Sequence, residues 1–592
     1  MKVPIWSIAA LAVLFTAGFA ALAAKLYSVQ VVNVAEFKRD LAQQATRRVR
    51  KSGIRGRILD CKGGVLAESR ARRDIVCDLS AFRRNGSISN TVAAVEEEIV
   101  RLAGALGVDR PENITPRRIV RHIRTASAVP MCVWRDLGES TLARFEERAS
   151  QFEGFSVESH PERHYPRGKF AAHLIGYTGR DRDDSDPEAA YMLAYELEMK
   201  GRSGLEAYYD DYLAGVSGAV RIPVDARGFK PVGAAQNSIT LGETQERDAQ
   251  DGLDLHLTID PDIQSVAEKQ FEGVCGACVV LNPQDGAVLA MVSAPAFDLN
   301  GFVPFLSAEK YKKLSSDPNR PLLNRATAGL YIPGSTFKPV TALAALGSGL
   351  IKAGDDYECT GVYKLGTMRL RCWSRWGQGH LNMRGALEQS CNPYFARLGY
   401  LLGSNTLFKT AREFGFAAKS GIDFAPDYAG SLATPPFYPG LASQSAIGQG
   451  KLQVTPLQVA MECAALANGG KVYAPYLKKR PEGSPPPAPV RTLKCRAEDI
   501  ETVRRGMRDV VEGVRGTGKA LGGLAVPCAG KTGTAQIGGD MKDTWVIAFA
   551  PYDNPTVAIA LVVERGVSGG KTAAPRVHNI LASIFGEKKE ER

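Results

Sequence analysis

At 592 residues the chain exceeds what a single hydrophobic core sustains, so about two to four domains are expected. Apolar residues make up 44% and charged residues 23%, the balance of an ordinary globular protein. The net charge of +11 is spread along the chain without a groove-reading motif, which argues against nucleic acid as a partner and suits a neighbourhood of anionic lipid or polymer.

The first predicted element runs from Val3 to Ala24, 22 residues without a charge. At about 1.5 Å per residue it covers roughly 33 Å, enough to cross a bilayer. The apolar part of a cleaved secretory signal is shorter, about 7 to 15 residues, so residues 1–24 are read as an uncleaved anchor. The "ALA" at 21–23 resembles a cleavage site and keeps removal as the alternative. Lys2 and Lys25 flank the segment almost symmetrically and leave its orientation open. The remaining chain is expected to lie on one side of the membrane, outside the cytoplasm.

Residues 25–50 are expected to form a juxtamembrane helix. "RGRILDCKGGVLA", Arg55 to Ala67, reads as a hairpin around Gly63-Gly64. Residues 95–150 are helical in pattern and charge-rich, and the polar, turn-rich stretch 219–252 is expected to link to a second body. That body begins near "LDLHLTIDPDIQ" and extends to about residue 586, before a charged tail at 587–592. Within it "RPEGSPPPAPV", 480–490, is expected to be a solvated excursion. "CGAC" at 275–278 precedes strand-like "VVLNP". A Cys-x-x-Cys redox site normally opens a helix, so buried core thiols are expected there instead.

"PGSTFKPVTALAAL" carries the first chemistry. Pro333-Gly334 halts the preceding element, and a helical pattern begins after it, ending at Gly347 and Gly349. Pro339 is tolerated only near a helix start, which places Ser335 at the N-terminus with Lys338 one turn on, on the same face. The positive end of the helix helps push the lysine towards its neutral form, and a neutral lysine can take the proton of a serine hydroxyl. Ser-x-x-Lys alone is a weak signal, expected by chance on the order of a couple of times in a chain this long. Two further constellations come after it in order: Ser390-x-Asn392 in "EQSCNPYFARLG", and Lys531-Thr532-Gly533-Thr534 in "GKTGTAQ". The ordered trio Ser-x-x-Lys, Ser-x-Asn, Lys-Thr-Gly is the signature of penicillin-binding proteins and serine β-lactamases.

On these residues the chain resembles a class B penicillin-binding protein, and the likeness runs nearly end to end. "RGRILDCKGGVLA", "RHYPRG" with "AAHLIG", and "GLEAYYDDYLAG" resemble the family's pedestal motifs. "TIDPDIQ", "VVLNPQDGAVLAMVSAPAFDLN", "IGQG", "VTPLQVA" and "GGKTAAP" resemble its transpeptidase domain. Cys61 stands where the family commonly has a basic residue. The resemblance implies a multi-domain α+β fold: a transmembrane helix at 1–24, an extended β-rich pedestal or dimerisation-like domain at 25–250, and a transpeptidase domain at 251–586 built on an antiparallel sheet flanked by helices. It implies residence in the inner, cytoplasmic membrane with the catalytic domain on the periplasmic side. It further implies that Ser335 attacks a D-Ala-D-Ala stem peptide with Lys338 as base. Ser390 would relay a proton between Lys338 and Lys531, and Asn392 would orient the peptide amide. Lys531, Thr532 and Thr534 would meet the terminal carboxylate, Gly533 would admit the donor along the strand, and the Ser335 and Thr534 amides would form an oxyanion hole. Thr532 as a β-former and Asn392 as a helix cap are the structural alternatives.

"RCWSRWGQGHLN" resembles the elongation branch, penicillin-binding protein 2, more than the division branch. A division-type transpeptidase, a D,D-carboxypeptidase, a β-lactamase and a β-lactam sensor are the other readings. No cofactor is expected for the acyl transfer. The partners implied are peptidoglycan stem peptides, β-lactams as inhibitors, and by analogy a SEDS-family glycan polymerase and an elongation-complex scaffold. Some elongation-type members carry a metal site in this region. Here Cys359, Cys372, His380 and Cys391 are the candidate ligands of a structural zinc, with a Cys359-Cys372 disulfide or plain buried thiols as alternatives.

Overall fold

The computed structural model describes residues 4–34, 45–83, 87–180, 193–194, 199–225, 227–231, 244–433, 435 and 438–588. Helix α1, Ile5–Tyr27, buries none of its residues against the rest of the chain and spans about 35 Å. It continues as a wider turn through Ser28–Val32, and the whole run is long and apolar enough to cross a bilayer. The helical segment therefore passes well beyond Ala24.

The juxtamembrane helix expected over 25–50 does not reach that far. Residues 35–44 lie outside the described residues, and Thr46–Lys51 is strand β1. Ile58–Leu59 (β2) and Val65–Cys77 (β3) form the predicted hairpin, its turn closed by Asp60, whose Oδ1 accepts from the Lys62 and Gly64 amides. Beyond it α2 (Ile88–Leu106) and α3 (Pro116–Ala126) pack on β3, β4 (Met131–Trp134) and β5 (Phe155–His164) around Ile75, Val95, Leu102, Trp134 and Phe145. β4 interrupts the stretch whose sequence suggested a continuous helical region. The expected linker at 219–252 instead supplies β6 (Gly218–Pro223) and β7 (Thr244–Arg247). β6 lies between β7 and β1, with Val220 opposite Val49. Such short strands carry too few apolar residues to be distinguished from a polar linker.

Three motifs far apart in the sequence meet at one buried carboxylate. Glu206, fully buried, takes Arg55 Nε on Oε2 and Arg163 Nε on Oε1, both at 2.6 Å. Arg55 also bonds Asp210 at 2.7 Å, and Tyr165 Oη reaches Glu206 Oε1 at 3.4 Å. Burial by itself raises the Glu206 pKa, but Arg163 and Arg55 outweigh it and hold the carboxyl below its ordinary value. The first body is tied to the second by Tyr165 with Asn300, by Arg57 with Asp254, and by Lys62 with Asp260 and Asp262. Lys62 thus makes a basic contact beside Cys61.

In the second body β8 (Gly276–Leu281), β9 (Val288–Ala294), β10 (Ala529–Gly538), β11 (Met541–Ala550) and β12 (Val557–Val563) form an antiparallel sheet in the order β9-β8-β12-β11-β10. Every residue of β8 is buried. Ala277, Val279 and Leu281 face a core shared with α4 (Lys338–Gly347), α5 (Asn392–Phe414), α6 (Pro456–Ala467) and most of α7 (Ala497–Glu512), while Cys278 and Val280 face α8 (Ala574–Phe585). Helices on both sides explain the uninterrupted apolar runs in this sheet. "VTPLQVA" starts α6 with Thr455 and Gln458 forming a reciprocal capping box. The proline-rich loop 480–490 is largely exposed.

Candidate active site

Ser335 lies in the tight turn Gly334–Phe337 that leads directly into α4, whose first residue is Lys338. Behind this turn the "IGQG" loop is fixed against it: Gly334 N–H donates to Gly448 O at 2.9 Å, and a Cβ on Gly448 would come within 1.8 Å of Gly334 O. Thr341 Oγ1 adds a bond to Ala446 O at 2.8 Å. In front lies β10, at the edge of the sheet, so its outer backbone groups have no strand partner among the described residues.

The groups of the three motifs converge. Lys338 Nζ, fully buried, donates to Ser390 O at 2.7 Å and Asn392 Oδ1 at 2.8 Å and lies 3.2 Å from Ser390 Oγ. Lys531 Nζ, also fully buried, donates to the same Ser390 Oγ at 2.8 Å and to Thr532 O at 3.0 Å. Ser390 takes φ 54°, a left-handed conformation that a serine adopts only when its surroundings over-determine it. Those surroundings include Trp373 Nε1 and Gln378 Nε2, both donating to the carbonyl of Gln389, at 2.8 and 3.0 Å. Ser335, half-buried, is not among the hydrogen-bonded members of this cluster.

Burial pushes the Lys338 amine down to about 7, against a smaller opposing pull from Cys391 and Cys372. Burial and the neighbouring Lys338 lower Lys531 too. Two ammonium groups sharing one hydroxyl repel, so the cluster favours one neutral amine. A neutral Lys338 has two N–H bonds, and Ser390 O and Asn392 Oδ1, which can only accept, use both. Its lone pair is then left for a hydroxyl proton.

Thr532 Oγ1 bonds Thr517 Oγ1 at 2.9 Å, and Thr534 Oγ1 accepts from Gly569 N–H at 3.2 Å. Neither partner was foreseen from sequence. A Cβ on Gly533 would meet Thr336 Cγ2 and Trp545 Cβ at 3.0 Å, so this glycine also keeps β10 close to the Ser335 turn. Under the site Arg325 Nε bonds Glu564 Oε1 at 2.7 Å, and Tyr331 Oη reaches the same oxygen at 2.8 Å. No local spacing links these residues.

Beside Ser390, the sulfurs of Cys359, Cys372 and Cys391 lie within 4.8 Å of one another and are buried. All eleven cysteines are free thiols. His380 does not join them. It sits on the outward side of the Gly379–Leu381 strand, exposed, with Nδ1 on Asp356 Oδ2 at 2.5 Å. Gln378 is the buried neighbour: its backbone N–H donates to Cys359 O at 3.0 Å, and its Oε1 is buried without a hydrogen-bond donor. Two apart, they would share a face of a regular strand, but Gly379 between them takes φ 71° and breaks the alternation, so one turns in and the other out.

A buried serine–lysine cluster against an edge strand is the equipment of a serine acyl-transferase. Residues 276–582 match the model of the penicillin-binding protein transpeptidase domain, and residues 50–257 that of the penicillin-binding protein dimerisation domain. The chain belongs to the class B penicillin-binding proteins, and within them it is most like the elongation-type penicillin-binding protein 2. It is 33% identical to the peptidoglycan D,D-transpeptidase MrdA of Haemophilus influenzae, over 76% of this chain and 74% of that one. A structure of penicillin-binding protein 2 with MreC from Helicobacter pylori superposes with TM-score 0.76 at 25% identity, covering 91% of this chain and 98% of that one. A chain from a structure described as "Structural coordination of polymerization and crosslinking by a peptidoglycan synthase complex" gives TM-score 0.71 at 28% identity, with 99% of each covered.

Proposed function

We propose that this chain is a peptidoglycan D,D-transpeptidase that crosslinks stem peptides during cell-wall elongation. The observation that carries the reading is the Ser390 hydroxyl held between two fully buried lysines, one of them a turn after Ser335. The Ser335 hydroxyl adds to the carbonyl of the penultimate D-alanine as neutral Lys338 takes its proton. The amides of Ser335 and Thr534 receive the oxyanion. The terminal carboxylate of the donor meets Lys531 with Thr532 and Thr534, and its charge restores the ammonium of Lys531 that burial disfavours. As the C–N bond breaks, the proton passes from Lys338 through Ser390 to the departing D-alanine amine, leaving an acyl ester on Ser335. The amine of a second stem peptide then attacks that ester, a new amide forms, and the proton returns to Ser335. The unpaired edge of β10 lets the donor bind as an added strand. β-Lactams enter by the same acylation.

The apolar α1 serves as a single-pass anchor in the cytoplasmic membrane, with the catalytic body on the periplasmic side. By analogy with the MreC complex and the synthase complex, the pedestal and anchor engage an elongation scaffold and a glycan polymerase. Full-length protein given a stem peptide ending in D-Ala-D-Ala and an acceptor stem peptide is expected to release D-alanine and yield the crosslinked dimer. Release of D-alanine with hydrolysed peptide alone would make it a carboxypeptidase.

The acyl transfer needs no cofactor. The thiol cluster nevertheless fits a structural zinc, since sulfurs on a tetrahedral zinc sit roughly 3.8 Å apart. Cys372 and Cys391 titrate as a pair: the hydrogen bond between them lowers the Cys372 thiol and raises that of Cys391. Cys359, Cys372 and Cys391 would hold the ion, and Gln378 Oε1, not His380, is the better-placed fourth donor. When bound, zinc supplies a crosslink that pins the Ser390 loop. Metal analysis of the purified protein is expected to give about one zinc per chain, lost in Cys372→Ser and retained in His380→Ala. Absence of zinc together with a Cys359-Cys372 bridge would overturn the assignment.

A further inference from the structure

We infer, on the reading of Ser390 as the proton relay, that Trp373 is a positioning residue of the acyl transfer. Its indole N–H pins the Gln389 carbonyl and so holds the Ser390 hydroxyl between the two lysines.

Ser390 follows the short helix Met383–Glu388 and directly precedes Cys391, the N-cap of α5. The Ser390 N–H donates to Leu387 O at 3.2 Å and the Cys391 N–H to Ala386 O at 2.9 Å. This pair of bonds closes a helix whose next residue is left-handed, a place that glycine ordinarily takes because a Cβ is strained there. A glycine carries no hydroxyl. The chain keeps a serine at φ 54°, and its surroundings have to hold it.

Rotation about φ of Ser390 turns the peptide unit that it shares with Gln389, so a clamp on the Gln389 carbonyl is a clamp on Ser390. Two side chains supply that clamp: Trp373 Nε1 donates at 2.8 Å and Gln378 Nε2 at 3.0 Å. Trp373 is itself anchored. Its neighbour Cys372 is buried and donates its N–H to Gly361 O at 2.9 Å, and Arg371 O accepts from Asn392 Nδ2 at 3.1 Å. The segment 371–373 therefore grips both ends of the Ser390-x-Asn392 motif.

Burial does not account for a tryptophan at this place, since the side chain is 65% exposed and little of its apolar surface leaves water. The N–H does account for it. Without that donor the peptide unit is held by Gln378 alone, and Ser390 relaxes towards negative φ. Its hydroxyl then withdraws from Lys531 Nζ and Lys338 Nζ, now at 2.8 and 3.2 Å. Ser335 and its base remain, so a ligand still binds, but the proton path to the departing amine is interrupted.

The test compares Trp373→Phe with Trp373→His in the full-length protein. Phenylalanine keeps an apolar ring and drops the donor. With the five-membered rings superposed, histidine Nε2 falls on the indole Nε1, so histidine drops much of the ring and keeps the donor. Intact-mass time courses over a range of benzylpenicillin concentrations separate the acylation rate constant from the dissociation constant of the preceding complex. Trp373→Phe is expected to lower the rate constant at least about tenfold and to change the dissociation constant less than about threefold. Trp373→His is expected to stay within about threefold of the wild type, the reverse of the order that ring packing alone would give. A phenylalanine variant as fast as the wild type, a histidine variant as slow as phenylalanine, or a change confined to the dissociation constant overturns the role of Trp373. A wild type without an adduct at Ser335 removes the transpeptidase reading and this role with it, whereas an acylating wild type beside an unaffected phenylalanine variant removes the role alone.

Discussion

Ser335→Ala is expected to abolish the covalent adduct with benzylpenicillin, and Lys338→Met to slow its formation by about 10²- to 10⁴-fold. The first variant removes the only atom that can carry the acyl group. The second leaves that atom but removes the lone pair that deprotonates it, and a methionine of similar length fills the buried channel. The pH profile separates the two roles. The base form of Lys338 exists above its pKa, which burial has brought from 10.5 to about 7. Acylation by the wild type should therefore rise with pH through about 7 and then level off, while Lys338→Met should lose that limb. Intact-mass kinetics with peptide mapping reads every quantity. An adduct in Ser335→Ala, or a wild-type rate flat from about pH 5.5 to about pH 8.5, would sink the assignment of nucleophile and base.

Glu206→Ala is expected to be the most damaging substitution away from the cleft, costing about 3–5 kcal/mol. Arg55 and Arg163 would lose the carboxylate that both contact at 2.6 Å, leaving Arg163 buried without a counter-charge and Arg55 with Asp210 alone. Desolvation of unpaired charge, more than the loss of attraction, sets this magnitude. Arg57→Ala, which removes a half-exposed partner of Asp254, should leave stability nearly unchanged. Denaturant midpoints of the two variants would compare them, and a Glu206→Ala midpoint equal to that of Arg57→Ala would refute the account.

The three motifs proposed as catalytic stood out in the sequence because each depends on local spacing, and the fold brings their Lys338, Ser390, Asn392 and Lys531 side chains together. Ser335 and Lys338 share a helical turn, Ser390 and Asn392 flank a helix start, and Lys531 to Thr534 form a strand segment. The features that escaped depend on pairings that close over long stretches of chain. Thr46–Lys51 has the composition of a charged helix and becomes a strand because Gly218–Pro223 lies beside it. His380 is the residue type a metal site suggests, yet the pairing of Tyr357–Cys359 with Gly379–Leu381 turns it to solvent and leaves Gln378 inside. The Arg325–Glu564–Tyr331 cluster beneath the cleft joins residues more than two hundred positions apart and leaves no trace in either neighbourhood.

The contact between Gly448 and the Gly334 carbonyl bears on how such an enzyme escapes its inhibitors. No side chain fits at position 448 without displacing the turn that carries Ser335, so selection for drug resistance finds this position closed to substitution. Variation that excludes an antibiotic while sparing the natural substrate has to accumulate at exposed positions such as Trp373, whose indole N–H holds the Gln389 carbonyl beside Ser390 and must be matched by any replacement.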